Sequence, residues 1–239
     1  MQENMTPFKK LPYHVALTLD GNRRWAEKNG LPRKKGIRFG VEKTKEVMYD
    51  WTRRFEKEFG VKPFTELTIH ALTLNNINLR PNEEIKEVTD AFTETFREAR
   101  VKKLYDEVRV TFGGRIELLP KSLQKEMKLL EKVTKDFTKY QFNVAIAYDG
   151  NDELDNAINM AAIKGIPNKP SDLMFFPNAH PIDLFIRTSG EKRLSGFMLY
   201  YIGYAEIFFL NCLAEDFKYS NFVNILREYS DKRDRRFGQ

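Results

Sequence analysis

Short apolar runs alternate with longer stretches of helical period along almost the whole chain, and few folds accommodate that alternation. Residues 14–19, 66–72, 108–112, 142–148, 182–186 and 206–210 each read as a strand. Between them, apolar residues recur at steps near three and four. Val41, Val47, Met48, Trp51, Phe55 and Phe59 predict a helix over 40–59. Ile85, Val88, Phe92 and Phe96 predict one face of another, with Pro81 as its first residue. Further helices are expected over 122–133 and 217–229, and after Asp149-Gly150-Asn151, whose turn can cap one. The segment 164–180, with its three prolines, reads as irregular. Strands spaced by helices predict an α/β fold: a central, mostly parallel six-stranded sheet flanked by helices. No repeat, low-complexity segment or linker divides the 239 residues, so a single domain over 1–239 is expected.

Two strand ends carry chemistry. The first strand runs straight into Asp20-Gly21-Asn22-Arg23-Arg24-Trp25. In open parallel sheets, ligands bind beyond the carboxyl ends of the strands. Gly21 lets backbone approach a ligand, the next helix offers free N–H groups, and the arginines add charge-assisted bonds. One carboxylate is a normal protein contribution to Mg²⁺, which takes its other oxygens from water and phosphates. A strand-to-helix turn with a capping aspartate and solvated arginines would use the same residues. Arg33, Lys34, Lys35 and Arg38 add positive charge close by in sequence. The second strand end is Arg187-Thr-Ser-Gly-Glu191-Lys-Arg193-Leu-Ser195, where Arg187, Arg193 and Ser195 can converge on a polyanion if the turn folds back. Two such ends on one sheet suggest two anionic groups held side by side.

Composition narrows the alternatives. Lys and Arg total 40 against 34 Asp and Glu, a net charge of +6, which fits a solvated surface or attraction for diphosphates, nucleic acid or an acidic membrane face. Five positive charges fall within 227–236. The single cysteine, Cys212, excludes an internal disulfide and a cysteine-based zinc site. His14, His70 and His180 lack metal-ligand spacing, and His14 and His70 read as core histidines. Lone glycines such as Gly36 and Gly40 carry no signal. No apolar run approaches the ~20 residues of a spanning helix, and residues 1–11 lack a signal-peptide core. A cytoplasmic protein is expected, at most peripheral to a membrane.

Taken together, residues 14–25, 186–195, Tyr204-Ala-Glu206-Ile-Phe-Phe209 and Arg235-Arg-Phe-Gly238 resemble the cis-prenyltransferases, whose bacterial members make undecaprenyl diphosphate. The resemblance runs from about Pro12 to Gly238. It implies an enzyme that joins isopentenyl diphosphate to an allylic diphosphate, making a Z double bond each cycle. It implies Asp20 as the carboxylate organising Mg²⁺ and the diphosphates, with Glu206 linked to the same metal. Gly21, Asn22, Arg23, Arg24 and Arg33 would hold the allylic diphosphate, with Trp25 beside the prenyl chain. Arg187, Arg193 and Ser195 would hold isopentenyl diphosphate. An apolar cleft, with Ile85, Val88, Phe92 and Phe96 as candidate lining, would take the growing chain. The family is usually homodimeric, and its product gives a reason for membrane contact.

Several positions depart from the family pattern. A family histidine four residues after the arginine matching Arg33 is here Ile37, so its part in diphosphate release is absent or moved. The family segment Phe-Ser-Thr/Ser-Glu-Asn-Trp-x-Arg-Pro appears as Leu72-Thr-Leu-Asn-Asn76-Ile-Asn-Leu-Arg80-Pro, with one residue inserted. Asn76 would match the asparagine implicated in proton removal, with Asn75 as a rival, and Arg80 would bind substrate. The family Gly-Gly-Arg is Asp149-Gly150-Asn151, and the asparagine after Ser195 is Gly196. Three other readings stay open, the first on these changes and the last on the net charge of +6. One is a diverged relative that performs irregular coupling, cyclisation or diphosphate hydrolysis. Another is a non-catalytic partner subunit. The last is a basic nucleic-acid binder, although no recognition motif supports it.

Overall fold

The computed structural model describes residues 7–104 and 106–232; the Arg235–Gly238 motif and most of the basic tail lie outside them. β1 (His14–Thr18) leads into α1 (Asn22–Lys28) and α2 (Arg33–Lys45), which continues through a widened turn, Glu46–Trp51, into α3 (Thr52–Phe59). β2 (Glu66–Thr73) is followed by α4 (Leu74–Leu79) and α5 (Asn82–Val101). β3 (Val108–Gly113), α6 (Lys121–Thr134), β4 (Tyr140–Tyr148) and α7 (Gly150–Lys164) come next, then β5 (Leu184–Arg187), β6 (Glu206–Phe209) and α8 (Tyr219–Lys232).

All six strands are parallel, in the order β3-β4-β2-β1-β5-β6. β1 and β5 are buried at every position, as parallel strands covered on both faces must be. Leu17, Ile69 and Ile186 face the larger core. Ala16, Phe185 and Ala145 face a second one built around Phe197, Tyr148 and Phe176. Asp149 caps α7 by accepting from the backbone N–H groups of Asn151 and Asp152, as its turn suggested.

The helix expected over 40–59 begins earlier, at Arg33. Its widened turn places Val47, Met48 and Trp51 in the core, where Trp51 packs on Phe217, Tyr219 and Phe222. Gly36 and Gly40 allow this helix to touch the start of α1: a Cβ on Gly40 would meet the Asn22 amide at 2.0 Å. They therefore do carry a signal, of close packing. Val88, Phe92 and Phe96 lie on the buried face of α5, while Ile85 is half-buried.

Candidate active site

β1 and β5 are neighbours, with Thr18 in register with Arg187. The two charged strand ends of the sequence therefore meet. Arg187 is only 3% exposed. It donates to Asp20 Oδ2 at 3.0 Å through one guanidinium nitrogen, and to Ser195 Oγ at 2.9 Å and the Arg193 carbonyl through the other. One buried cation thus ties the first half-site to the second. Thr188 fixes the junction, accepting from the Asp20 N–H and donating to the Asp20 carbonyl, each at 2.8 Å.

Asp20 keeps 41% of its side chain exposed. Burial pushes its pKa up, but the bonds from Arg187 and the Gly21 N–H, with the charges of Arg187 and Arg24, outweigh this and hold it below the usual carboxylate value. Gly21 adopts φ +107°, and a Cβ there would strike Leu213 at 2.8 Å, so the turn requires glycine. No side chain caps α1, and its first turn holds no acidic residue, which leaves its N–H groups to an anion.

A cavity of about 650 Å³ opens over these strand ends. Asp20, Gly21, Asn22, Arg23, Arg24, Asn75, Asn76, Arg80, Arg187, Arg193 and Ser195 line it, so most of the expected residues converge. Glu191 stands between the half-sites, 3.6 Å from Arg24 and paired with Arg193. The loop that carries them is sharply wound: Ser189, Ser195 and Met198 all have positive φ, the kind of strain that collects at binding sites. Asn76 is held by the Thr73 hydroxyl, which also caps α4, whereas Asn75 is exposed. Burial, with the charge of Arg23, pushes the Arg80 pKa down. Ile37, Val41, Leu72, Val88 and Phe92 form an apolar wall in the same cavity.

Three expected residues lie outside this cavity. Trp25 packs edge-on against Phe39 on α2, with ring centroids 5.1 Å apart. Arg33 is exposed and paired with Glu27. Glu206 begins β6 in register with Leu184, at the amino end of the sheet, about 10 Å of strand from the level of Arg187. Within one chain it is not brought to Asp20. Ile85 and Phe96 do not line the cavity either. Phe96 stacks on Phe92 and packs on Phe112, closing the core behind the wall.

Two departures from the family pattern prove to be one. Gly196 has φ +70°, and a Cβ there would meet Asp149 Oδ2 at 2.9 Å. The side chain absent at 196 is matched by the one present at 149. Sequence reasoning missed Thr18, Thr44, Glu191 and the cavity role of His70. The signal for Thr18 and His70 was available, because both break apolar strands close to their carboxyl ends.

Comparison with known proteins agrees with this geometry. A family model described as "Putative undecaprenyl diphosphate synthase" matches residues 18–238. The chain is 38% identical to a tritrans,polycis-undecaprenyl-diphosphate synthase (geranylgeranyl-diphosphate specific) of Pyrococcus horikoshii, over 96% of this chain and 88% of that one. It is 37% identical to an isoprenyl transferase of Aquifex aeolicus, over 96% and 97%. Lavandulyl diphosphate synthase from Lavandula x intermedia, solved with dimethylallyl diphosphate, superposes with a TM-score of 0.81 at 25% identity, over 92% and 95% of the two chains. With its all-parallel sheet, two joined arginine half-sites and a match over almost its full length, the chain belongs to the undecaprenyl diphosphate synthase family of cis-prenyltransferases, and it is a prenyltransferase.

Proposed function

We propose that this enzyme condenses isopentenyl diphosphate with an allylic diphosphate, in the presence of Mg²⁺, to give a Z-polyprenyl diphosphate. The observation that carries the reading is Arg187, which joins Asp20 to the Arg193–Ser195 loop. Asp20, Gly21, Asn22, Arg23, Arg24 and Arg80 take the allylic diphosphate, and Arg187, Arg193 and Ser195 take isopentenyl diphosphate. Fixed positive charge on a departing diphosphate, together with an aligned second substrate, is what this chemistry needs. Asn76 orients the isopentenyl unit. The wall of Ile37, Val41, Leu72, Val88 and Phe92 receives the hydrocarbon chain.

Among the described residues no three His, Cys, Asp or Glu side chains could cage a metal by themselves. One carboxylate beside anion-binding arginines fits Mg²⁺, which draws its remaining oxygens from diphosphate and water. Asp20 would hold it, and the ion would neutralise charge on the leaving group. The geranylgeranyl-diphosphate specificity of the Pyrococcus horikoshii relative supports a geranylgeranyl primer. β6 lies at the sheet edge with Ile207 exposed and Tyr200 and Tyr204 exposed in the segment before it, which supports a homodimer. Among the described residues no helix is long and apolar enough to cross a membrane; any membrane contact is peripheral.

The test is incubation with Mg²⁺, labelled isopentenyl diphosphate and allylic diphosphates of increasing length, read as product mass and double-bond geometry. A series of Z-extended products supports the reading. A branched or cyclic product, free diphosphate alone, or no product with any primer overturns it.

A further inference from the structure

A second row of polar atoms crosses the carboxyl edge of the sheet. Thr18 is in register with Arg187 on one side. On the other, Leu17 is in register with Ile69, which puts His70 beside Thr18 one step further on. Leu17, Ile69 and Ile186 face the larger core, so by alternation His70, Thr18 and Arg187 share the opposite face of three adjacent strands. All three are buried, all three line the cavity, and each has one polar atom without a hydrogen-bond partner: His70 Nε2, Thr18 Oγ1 and Arg187 Nε. Leaving such an atom unpaired costs about 1–3 kcal/mol. The row is built to take partners from what the cavity binds.

Two of these atoms suit a diphosphate, because a hydroxyl and a guanidinium N–H can donate. His70 Nε2 does not. The ring lies 4.5 Å from Phe197, tilted by only 5°, and hydrogen-bonds the backbone of Tyr148. Nε2 has no partner, so a neutral ring that donates to the Tyr148 backbone through Nδ1 would carry its lone pair on Nε2. Burial first, and then the charge of Arg187, hold the pKa down to about 4 against the Tyr148 bond and the carboxylates of Asp149 and Asp20. The imidazole is therefore neutral, and its free nitrogen is an acceptor that phosphate oxygens cannot satisfy. The ladder between β2 and β4 bulges at His70–Leu72, a device that re-aims side chains beside active sites.

The proposed condensation yields a proton that needs such an acceptor. The isopentenyl π electrons form the bond from C4 to the allylic C1, and the allylic C1–O bond breaks with its electron pair leaving on diphosphate. Carbon 3 becomes electron-deficient, and the C2–H electrons close the new double bond as the proton departs. An Asn76 amide can orient this step but cannot keep a proton. Asp20 is already bound by Arg187 and Gly21. Of the three histidines, His14 and His180 bond to each other at the amino end of the sheet. We infer that His70 is a further catalytic residue, whose Nε2 accepts the C2 proton of the isopentenyl unit. The inference rests on the condensation reading. His70 and Arg187 stand two strands apart, about 10 Å between backbones, enough for a diphosphate on Arg187 with its carbon chain reaching toward β2. A weak base suffices here, because a proton beside a cationic carbon is far more acidic than an imidazolium. Bound diphosphates would also offset Arg187 and let the ring carry charge.

The test uses the allylic diphosphate that the wild-type enzyme extends. If it extends none, the condensation reading has failed before any variant is made. His70→Phe keeps the stack on Phe197 and removes Nε2. It should lower kcat by about 10²–10⁴-fold while leaving both KM values within about threefold. His70→Ala should lose a similar factor and recover part of it with added imidazole, with a primary isotope effect from isopentenyl diphosphate deuterated at C2. His70→Asn, which can still donate to Tyr148, replaces either variant if thermal melts show that it does not fold. A kcat within about threefold of wild type, a rise in KM alone, or loss without imidazole rescue each overturns the proposal and makes His70 a packing residue.

Discussion

The two ends of the sheet treat polar side chains in opposite ways. At the amino end, Glu66 is 1% exposed and accepts from Asn143 at 2.6 Å and from the His180 ring at 2.8 Å. His14 bonds the His180 carbonyl and the Thr68 hydroxyl, and Asn143 takes Thr111 and Gln141 on its oxygen. Every side chain in this network is partnered. At the carboxyl end, His70, Thr18 and Arg187 line the cavity, and each keeps one buried polar atom without a hydrogen-bond partner. A satisfied network rigidifies a core, whereas an unsatisfied one carries a cost that only a ligand relieves. One end is built for stability and the other for chemistry.

The contrast can be broken at each end. Asp20→Ala should lower kcat by about 10³-fold or more in the folded enzyme, because it removes transition-state charge organisation, and should lower the melting temperature only modestly: the buried Arg187 loses its carboxylate, but Asp20 itself is partly exposed. An active Asp20→Ala enzyme would end the distinction. Glu66→Ala should do the reverse. It takes the acceptor away from the buried Asn143 amide and should cost about 1–3 kcal/mol in denaturant unfolding, with kcat per folded molecule unchanged. Loss of turnover in the folded fraction would show that the amino end serves the reaction.

Acid should sharpen the comparison through the histidines. His14 and His70 both fold with pKa values below the usual 6.5, chiefly because of burial. The unfolded chain therefore binds these protons first as pH falls. Stability should decline below about pH 6.5, and the His70 share, about 3 kcal/mol, should level off only below about pH 4. Denaturation series across this range should be flatter for His70→Phe than for wild type.

The smallest expected effect is a gain. Glu215 follows β6, next to Ala214, whose N–H bonds the Asp20 carbonyl, and both of its carboxylate oxygens are buried without partners. Burial raises its pKa to about 7. A carboxyl raised in this way loses stability as pH climbs from 4.5 toward 7. Glu215→Gln should therefore add about 1–2 kcal/mol at pH 7 and nothing at pH 4. An unchanged value at pH 7 would mean that Lys43, whose charge also acts on Glu215, already compensates it.

How much of this was legible in the sequence follows from the distance over which each feature is decided. Central parallel strands buried on both faces read as apolar runs whatever they pair with, and the edge strands β3 and β6, though partly exposed, keep enough apolar residues to read the same way, so all six were visible. Asp149 caps a helix two residues away, and that too was visible. His14 and His70 carried the same reading, because their partners lie 54 and 166 residues away for His14 and across the second core for His70. The first turns of α2 were hidden because Arg33-Lys34-Lys35-Gly36 offers no apolar period, and Gly40 showed its use only once Asn22 lay against it. The family resemblance implied a place for Trp25 and Arg33 at the allylic site, but the turn of α1 and the start of α2 send them to Phe39 and Glu27.

The position of β1 has a consequence for how the molecule is made. It is synthesised before the other five strands of this sheet, yet it lies between β2 and β5. Its partner β5 leaves the ribosome roughly 170 residues later, a delay of about 10–30 s at ordinary rates of translation. For that interval a strand with an apolar centre, Val15-Ala16-Leu17, has one edge unpaired, and long-range parallel pairing is slow to form in any case. The strand that leads into Asp20 is thus among the last to be enclosed, and chaperone demand should concentrate on nascent chains that end before residue 187.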